Sequence, residues 1–186
     1  MPMRVIAGTA KGRQLKQVPG EGTRPIMDRV KEALFSIIGD NIQGAAFLDL
    51  YAGTGSVGIE ALSRGADHAV FVETARPAIK AIQENLEITG LADYAEIVRQ
   101  DVRDFLRREA REAFEYIYIA PPQYRGLWLE TLTLLDSHPA HLQPDGVAIV
   151  QIDPQEKQDV SLKVLVPTDE RRYGNTLLWF FERPGE

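Results

Sequence analysis

The chain has 186 residues, of which 44% are hydrophobic and 26% charged, a composition typical of one globular domain with a full core. It contains no cysteine and only three histidines, which excludes disulfides and cysteine nucleophiles and leaves no metal site expected. A net charge of −6 argues against a nucleic-acid partner for the chain as a whole. No stretch is apolar enough to span a membrane or serve as a signal core, so a cytoplasmic location is expected.

The N-terminal segment has the opposite charge from the rest of the chain. Residues 1–31 hold seven basic residues and two acidic ones. Such a segment can attract phosphates even in an anionic protein. A solvated charged tail is the alternative, and charge alone does not separate the two. Within this segment, residues 4–18 predict a basic β-hairpin that turns at Lys11-Gly12.

After this segment, helices and strands are predicted to alternate along the chain. The first is an amphipathic helix over residues 25–38. Most of its charged side chains are expected to face solvent. Pro25 suits its first turn, and Gly39 suits its end. Asp145-Gly146 predicts a turn before the fifth strand. Strands are predicted at residues 45–50, 68–73, 94–99, 114–119, 147–152, 162–167 and 176–182, with helices between the first five. This alternation indicates a mostly parallel α/β sheet that ends in an antiparallel hairpin.

A glycine turn follows the first strand. Gly53 and Gly55 let the backbone approach a ligand closely, and the next helix offers free N–H groups at its start. With Gly58 they satisfy the dinucleotide pattern G-x-G-x-x-G. An NAD(P)-dependent oxidoreductase is therefore one interpretation of this turn.

Three acidic residues stand at successive strand ends, where ligands bind in open α/β sheets. Asp49 closes the first strand, Glu73 the second, and Asp101 follows the third. Glu73 is placed to accept hydrogen bonds from ribose hydroxyls, and Asp101 can accept from an adenine amino group. One such acid is usually an ordinary surface carboxylate, but three after one glycine turn predict a nucleotide-like cofactor.

The stretch Asp49-Leu50-Tyr51-Ala52-Gly53-Thr54-Gly55 resembles motif I of the class I S-adenosylmethionine-dependent methyltransferases. Further motifs, spread over nearly the whole chain, resemble the RsmD-type 16S rRNA guanine-N2 methyltransferases. These motifs are Arg4-Val5-Ile6-Ala7-Gly8, Gly12-Arg13, Thr23-Arg24-Pro25, Asp28-Arg29-Val30, Glu32-Ala33-Leu34-Phe35 and Tyr173-Gly174-Asn175-Thr176-Leu177-Leu178.

The resemblance implies a Rossmann-like seven-stranded sheet, S-adenosylmethionine as cofactor with S-adenosylhomocysteine as product, and 16S rRNA or the small ribosomal subunit as partner. It implies a methyltransferase domain over residues 23–186 and a basic N-terminal hairpin extension over residues 1–22 that holds RNA. The implied cofactor-binding residues are Asp49, Tyr51, Ala52, Gly53, Gly55, Glu73, Thr74, Asp101 and Val102. The implied RNA-binding residues are Arg4, Lys11, Arg13, Lys16, Arg24 and Arg29.

The predicted catalytic motif follows the fourth strand and reads Ala120-Pro121-Pro122-Gln123-Tyr124. Family members usually carry Asp or Asn, two prolines and an aromatic residue, which hold the exocyclic amine and stack on the flipped base. Here Ala120 supplies no side-chain acceptor, and Tyr124 comes one place late. The Pro121 carbonyl and the Gln123 amide remain as acceptors.

Three interpretations of this variant motif stay open: an active guanine methyltransferase, an enzyme with a shifted substrate, and a non-catalytic RNA-binding assembly factor. Arg125, Trp128, Tyr173 and Asn175 are candidates for the border of the acceptor pocket. Trp128 lies at helical spacing from leucines, so it is expected to pack in the core.

Overall fold

The computed structural model describes residues 3–19 and 26–185, which contain one seven-stranded sheet. Strands β1 to β5 pair in parallel, and β7 runs antiparallel to both β5 and β6, in the order β3-β2-β1-β4-β5-β7-β6. The strands are β1 Ala46–Leu50, β2 His68–Glu73, β3 Ala95–Arg99, β4 Phe114–Ile119, β5 Leu142–Ile152, β6 Val166–Tyr173 and β7 Thr176–Glu182. The predicted Rossmann-like sheet with its antiparallel C-terminal hairpin is confirmed.

Within residues 3–19 and 26–185, five α-helices cover the two faces of the sheet: α1 Asp28–Ile38, α2 Ser56–Ser63, α3 Arg76–Thr89, α4 Val102–Arg107 and α5 Leu127–Ser137. Helices α1 to α3 bury their apolar sides in one core cluster, and α4 and α5 do so in the other. Trp128 is 1% exposed in the second cluster, which confirms its predicted packing role. Helix α1 begins at Asp28, later than predicted, and Pro25 lies outside the described residues. No helix in the described residues is long and apolar enough to cross a membrane.

The two-stranded hairpin predicted at residues 4–18 is not shown, because the N-terminal segment, residues 3–19, contains no regular strand. Its two arms meet at one isolated antiparallel bridge, Arg4 to Gln14, beside a backbone hydrogen bond from the Leu15 N–H to the Met3 carbonyl at 2.7 Å. The segment also lies against α2 and α3, whose side chains bond several of its other backbone groups. Its apolar residues Met3, Val5, Ala10 and Leu15 belong to the same core cluster as α1 and α2. The division into residues 1–22 and 23–186 stays a prediction.

Two predictions near the C-terminus are wrong. Asp145 and Gly146 do not precede β5 but lie inside it, where Asp145 adopts a φ of 66° and the pairing with β4 shifts register. The strand predicted at residues 162–167 begins only at Val166 and continues to Tyr173 as β6. Strand β6 pairs only with β7, and seven of its eight residues are exposed. An edge strand buried on neither face shows no alternation of apolar and polar residues, so its sequence does not reveal it.

Gly58 provides a test of how closely α2 packs on the sheet. A Cβ atom at this position would lie 2.4 Å from Cε1 of Phe71 in β2. We expect Gly58→Ala to lower the free energy of unfolding by about 1–3 kcal/mol, because this clash outweighs the better helix propensity of alanine. Urea unfolding measures the change, and Phe71→Leu in the same chain should recover part of it. A Gly58→Ala variant as stable as the wild type would contradict the contact.

Candidate active site

The predicted site residues lie at the carboxyl edge of the parallel strands. From β1 the chain moves outward to β2 and β3, and then crosses to β4 and β5 on the other side of β1. The reversal of strand order therefore falls between β1 and β4. A crevice at such a point is where open α/β sheets bind ligands.

The turn between β1 and α2 is held in an unusual backbone conformation. Tyr51, Gly53 and Gly55 have φ values of 60°, 58° and 80°, which lie in the left-handed region. Gly55 is also close-packed, since a Cβ atom there would lie 3.3 Å from the side chain of Ile82. Glycine is the residue that occupies such positions without strain. The turn ends directly on Ser56, the first residue of α2, whose N–H donates to Oγ1 of Thr54 at 3.3 Å.

Asp49 lies beneath this turn. Its carboxylate is 1% exposed, and Oδ2 accepts a hydrogen bond from the Gly58 N–H at 3.0 Å. Burial raises the pKa of Asp49 well above its usual value, against the opposing effect of the Gly58 hydrogen bond. Asp49 thus fixes the first turn of α2, while its predicted role in cofactor binding stays a prediction.

Glu73 holds the turn from the neighbouring strand. Its Oε1 accepts from the Gly53 N–H at 2.9 Å, and its Oε2 accepts from the N–H groups of Thr74 and Ala75 at 2.8 and 2.9 Å. A carboxylate offers about four acceptor positions, so about one remains, on Oε1. Glu73 therefore shapes the glycine turn and still has room for one donor from a ligand.

Asp101 forms a local ion pair at the start of α4. Its two oxygens accept from Nε and Nη2 of Arg103 at 3.0 and 2.9 Å, and Oδ1 also accepts from the Arg103 N–H. These bonds lower the pKa of Asp101 to about 2, so the carboxylate is ionised at neutral pH. Val102 is buried beside it. The Tyr51 hydroxyl lies 2.7 Å from Oγ1 of Thr131 in α5, which ties the glycine turn to that helix.

The predicted catalytic motif forms the loop after β4, across the switch point from the glycine turn. Ala120 and Pro121 are half-buried, and Pro122 and Gln123 are exposed. Tyr124 is 61% exposed and has a φ of 61°.

Tyr124 is fixed to the end of β5. Its N–H donates to Oε1 of Glu156 at 2.8 Å, and its hydroxyl donates to Oδ2 of Asp153 at 2.6 Å. Asp153 and Glu156 also cap a short 3₁₀ turn, Pro154–Glu156, by bonding each other's backbone. The sequence motif pointed to Tyr124 but contained no signal for these two anchors.

Most of the predicted RNA-binding residues lie on the N-terminal segment, and several already have protein partners. Arg4 pairs with Asp28 at 3.1 Å, and Lys16 pairs with Glu84 at 3.4 Å. Arg13 donates to the carbonyl of Ile88 at 3.3 Å. Lys11 and Arg29 are exposed, and Arg24 lies outside the described residues.

A buried ion pair was missed from the sequence. Lys31 and Glu60 are both 0% exposed, and Nζ of Lys31 lies 3.4 Å from Oε1 of Glu60. The prediction that the charges of α1 face solvent is therefore wrong for Lys31. Burial lowers the pKa of Lys31, although Glu60 opposes that shift. A usable signal existed, because Lys31 falls on the same helical face as Leu34 and Ile38.

These buried groups join the N-terminal segment to the glycine turn. Nζ of Lys31 donates to the Arg4 carbonyl at 2.7 Å and to Oγ of Ser56, the first residue of α2, at 2.9 Å. On the other side, the Asn85 amide bonds both backbone groups of Lys16 and donates to the Thr54 carbonyl at 3.0 Å. Lys31 and Asn85 thus link the basic segment to the C-terminal part of the turn, at Ser56 and Thr54.

The described residues contain no group of three or more histidine, aspartate or glutamate side chains arranged to hold a metal ion.

Comparison with known proteins places the chain among methyltransferases. The family model described as conserved hypothetical protein 95 matches residues 3–182. The chain is 37% identical to Bacillus subtilis YlbH, provisionally named an rRNA methyltransferase, over 98% of the chain and 100% of that protein. It is 33% identical to Haemophilus influenzae ribosomal RNA small subunit methyltransferase D, over 81% of the chain and 79% of that protein. The solved structure of Escherichia coli yhhF, described as a candidate methyltransferase, covers 100% of both chains with a TM-score of 0.88 and 29% identity.

Proposed function

The chain belongs to the conserved hypothetical protein 95 family, and we propose on that basis that it is an S-adenosylmethionine-dependent methyltransferase acting on ribosomal RNA. More finely, we propose the exocyclic N2 of a guanine in 16S rRNA as the acceptor, on the naked RNA or in the small ribosomal subunit. The observation that carries the proposal is the set of three acids at the ends of β1, β2 and β3 around one glycine turn at the switch point.

The residues at this edge fit the proposed cofactor. The left-handed glycine turn allows close approach of a ligand to the backbone, and Glu73 keeps one acceptor position for a ribose hydroxyl. Asp101 is ionised and can accept from the adenine amino group. Asp49 contributes by holding the first turn of α2 in place. When bound, S-adenosylmethionine supplies an electrophilic methyl group.

We call the loop after β4, residues 120–124, the acceptor loop. Its proposed task is to orient the guanine. Directing the amine lone pair of the guanine at the methyl carbon is a positioning effect, which can supply several kcal/mol of the barrier reduction. We assign the Pro121 carbonyl as the acceptor for the amine N–H, and the Gln123 amide as a second one, since Ala120 has no polar side chain. Tyr124 is exposed enough to stack on a flipped base while its hydroxyl stays bonded to Asp153.

Radiolabelled methyl transfer onto undermethylated small ribosomal subunits tests the proposed reaction. The expected result is one labelled guanine in 16S rRNA, methylated at N2, when the product nucleoside is identified and mapped. Label in another base would support the shifted-substrate interpretation. RNA binding with no label incorporated, from protein that binds S-adenosylhomocysteine, would instead support a non-catalytic assembly factor.

Calorimetry with S-adenosylhomocysteine and with NAD(P) separates the two cofactor classes. We expect S-adenosylhomocysteine to bind and NAD(P) not to bind, because of the acids at the three strand ends. The reverse pattern would support the dinucleotide interpretation of Gly53, Gly55 and Gly58.

A further inference from the structure

The tight turn between β6 and β7 lies at the same edge of the sheet as the candidate active site. At the end of β5, Ile152 pairs with Leu177, the second residue of β7. Tyr173 at the end of β6 pairs with Thr176, so Gly174 and Asn175 form the turn between them. In the strand order, β5 and β7 lie beyond β4 as seen from β1. This turn therefore lies on the side of the acceptor loop away from the cofactor residues. Asp153, directly after β5, bonds Tyr124 of that loop.

Two arginines lie beside Gly174 in this turn. Nε of Arg172 donates to the Gly174 carbonyl at 3.1 Å. From α1, Nη2 of Arg29 lies 3.7 Å from the position that a Cβ atom would occupy at Gly174. Both arginines are exposed. The structure therefore brings two guanidinium groups to one peptide from different elements of the chain.

Three carboxylates near these arginines in sequence are already paired with other cations. Asp28, next to Arg29, pairs with Arg4 at 3.1 Å. On β6, Asp169 pairs with Arg171 at 3.0 Å and Glu170 pairs with Lys157 at 2.9 Å. Within the residues that the structure describes, neither Arg29 nor Arg172 forms an ion pair with an acid. Two arginines that form no ion pair within the described residues therefore lie at this turn, on a chain whose net charge is −6.

We propose that Arg29 and Arg172 form a phosphate-binding subsite at the β6–β7 turn, which holds the RNA backbone beside the nucleotide presented to the acceptor loop. The proposal rests on the proposed function for its ligand. Guanidinium groups suit this ligand, because their N–H groups match phosphate oxygens and they stay charged at any physiological pH. Such contacts fix the position of an RNA strand without reading its sequence.

Fluorescence anisotropy with a labelled single-stranded RNA of mixed sequence, without cofactor and over a range of NaCl concentrations, tests the subsite. Arg172→Ala and Arg29→Ala should each weaken RNA binding several-fold. Each should reduce the slope of log K against log salt by about 0.7, the value for one lost phosphate contact on a single strand. S-adenosylhomocysteine binding, measured by calorimetry, should stay unchanged in both variants.

Arg171→Ala is the matched control, because Arg171 is adjacent on β6, points to the opposite face and is paired with Asp169. It should leave RNA affinity and salt slope close to those of the wild type. Equal effects of Arg171→Ala and Arg172→Ala, or no RNA binding by the wild type, would overturn the subsite. Failure of the proposed function is a separate result, because it appears as lost S-adenosylhomocysteine binding or absent methyl transfer rather than as a changed RNA affinity.

Discussion

Glu60→Ala is expected to lower the free energy of unfolding by about 3–5 kcal/mol, the range measured when one partner of a buried ion pair is removed. The Glu60 carboxylate accepts from the N–H groups of Ile6 and Ala7 and from Nε of Arg64, and it lies beside Lys31. Alanine would leave the Lys31 ammonium without its counter-charge and two backbone donors without their acceptor. Urea unfolding followed by tryptophan fluorescence measures the loss.

Two further variants make this result specific. Glu87→Ala removes an exposed glutamate from α3, and its effect should stay within about 0.5 kcal/mol, as for most surface substitutions. Lys31→Met in the Glu60→Ala background should recover part of the lost stability, because it removes the unpaired buried charge. A Glu60→Ala protein within 1 kcal/mol of the wild type, by the same measure, would show that the buried pair does not hold the N-terminal segment.

Glu73→Ala is expected to weaken S-adenosylhomocysteine binding about 100-fold, which corresponds to about 2.7 kcal/mol. Two losses combine in this variant. The ligand loses the free acceptor position on Oε1, and the glycine turn loses the bond from the Gly53 N–H that fixes its shape. Isothermal titration calorimetry measures the affinity, with circular dichroism as the check that the fold is kept.

Glu73→Gln separates the two losses. Its amide oxygen can still accept from Gly53, but its amino group meets the N–H groups of Thr74 and Ala75, so an intermediate affinity is expected. Glu87→Ala serves again as the control and should bind as the wild type does. An affinity within threefold of the wild type for Glu73→Ala would remove Glu73 from the cofactor site.

The sequence predicted the sheet well where burial is strong. The strands at residues 68–73 and 114–119 match β2 and β4 in full, because parallel central strands are buried on both faces and form continuous apolar runs. The antiparallel pairing of the last two strands was predicted, but β6 was placed too early, because its charged residues gave no periodic signal. The N-terminal segment lacks regular strands for a related reason, because several of its backbone groups bond side chains of α2 and α3, and a local sequence pattern does not register such distant partners.

The site was predicted at the level of residues and not of their contacts. Strand ends and glycine spacing located Asp49, Glu73 and Asp101, because parallel strands bring their carboxyl ends to one edge. Strand ends and glycine spacing did not indicate that Asp49 is buried under α2 or that Asp101 is paired with Arg103. The anchors of Tyr124 come from a segment about 30 residues later in the chain, a distance at which spacing carries no information.

The charged composition that made β6 hard to recognise has a consequence for the behaviour of the protein in concentrated solution. An eight-residue strand with one unpaired side is a template on which a second chain can add a strand and begin to aggregate. Here the strand contains Pro167, which has no N–H to donate, and charges of both signs from Asp169 to Arg172. Another strand laid against it would have to desolvate these charges, so this edge of the sheet is protected against self-association.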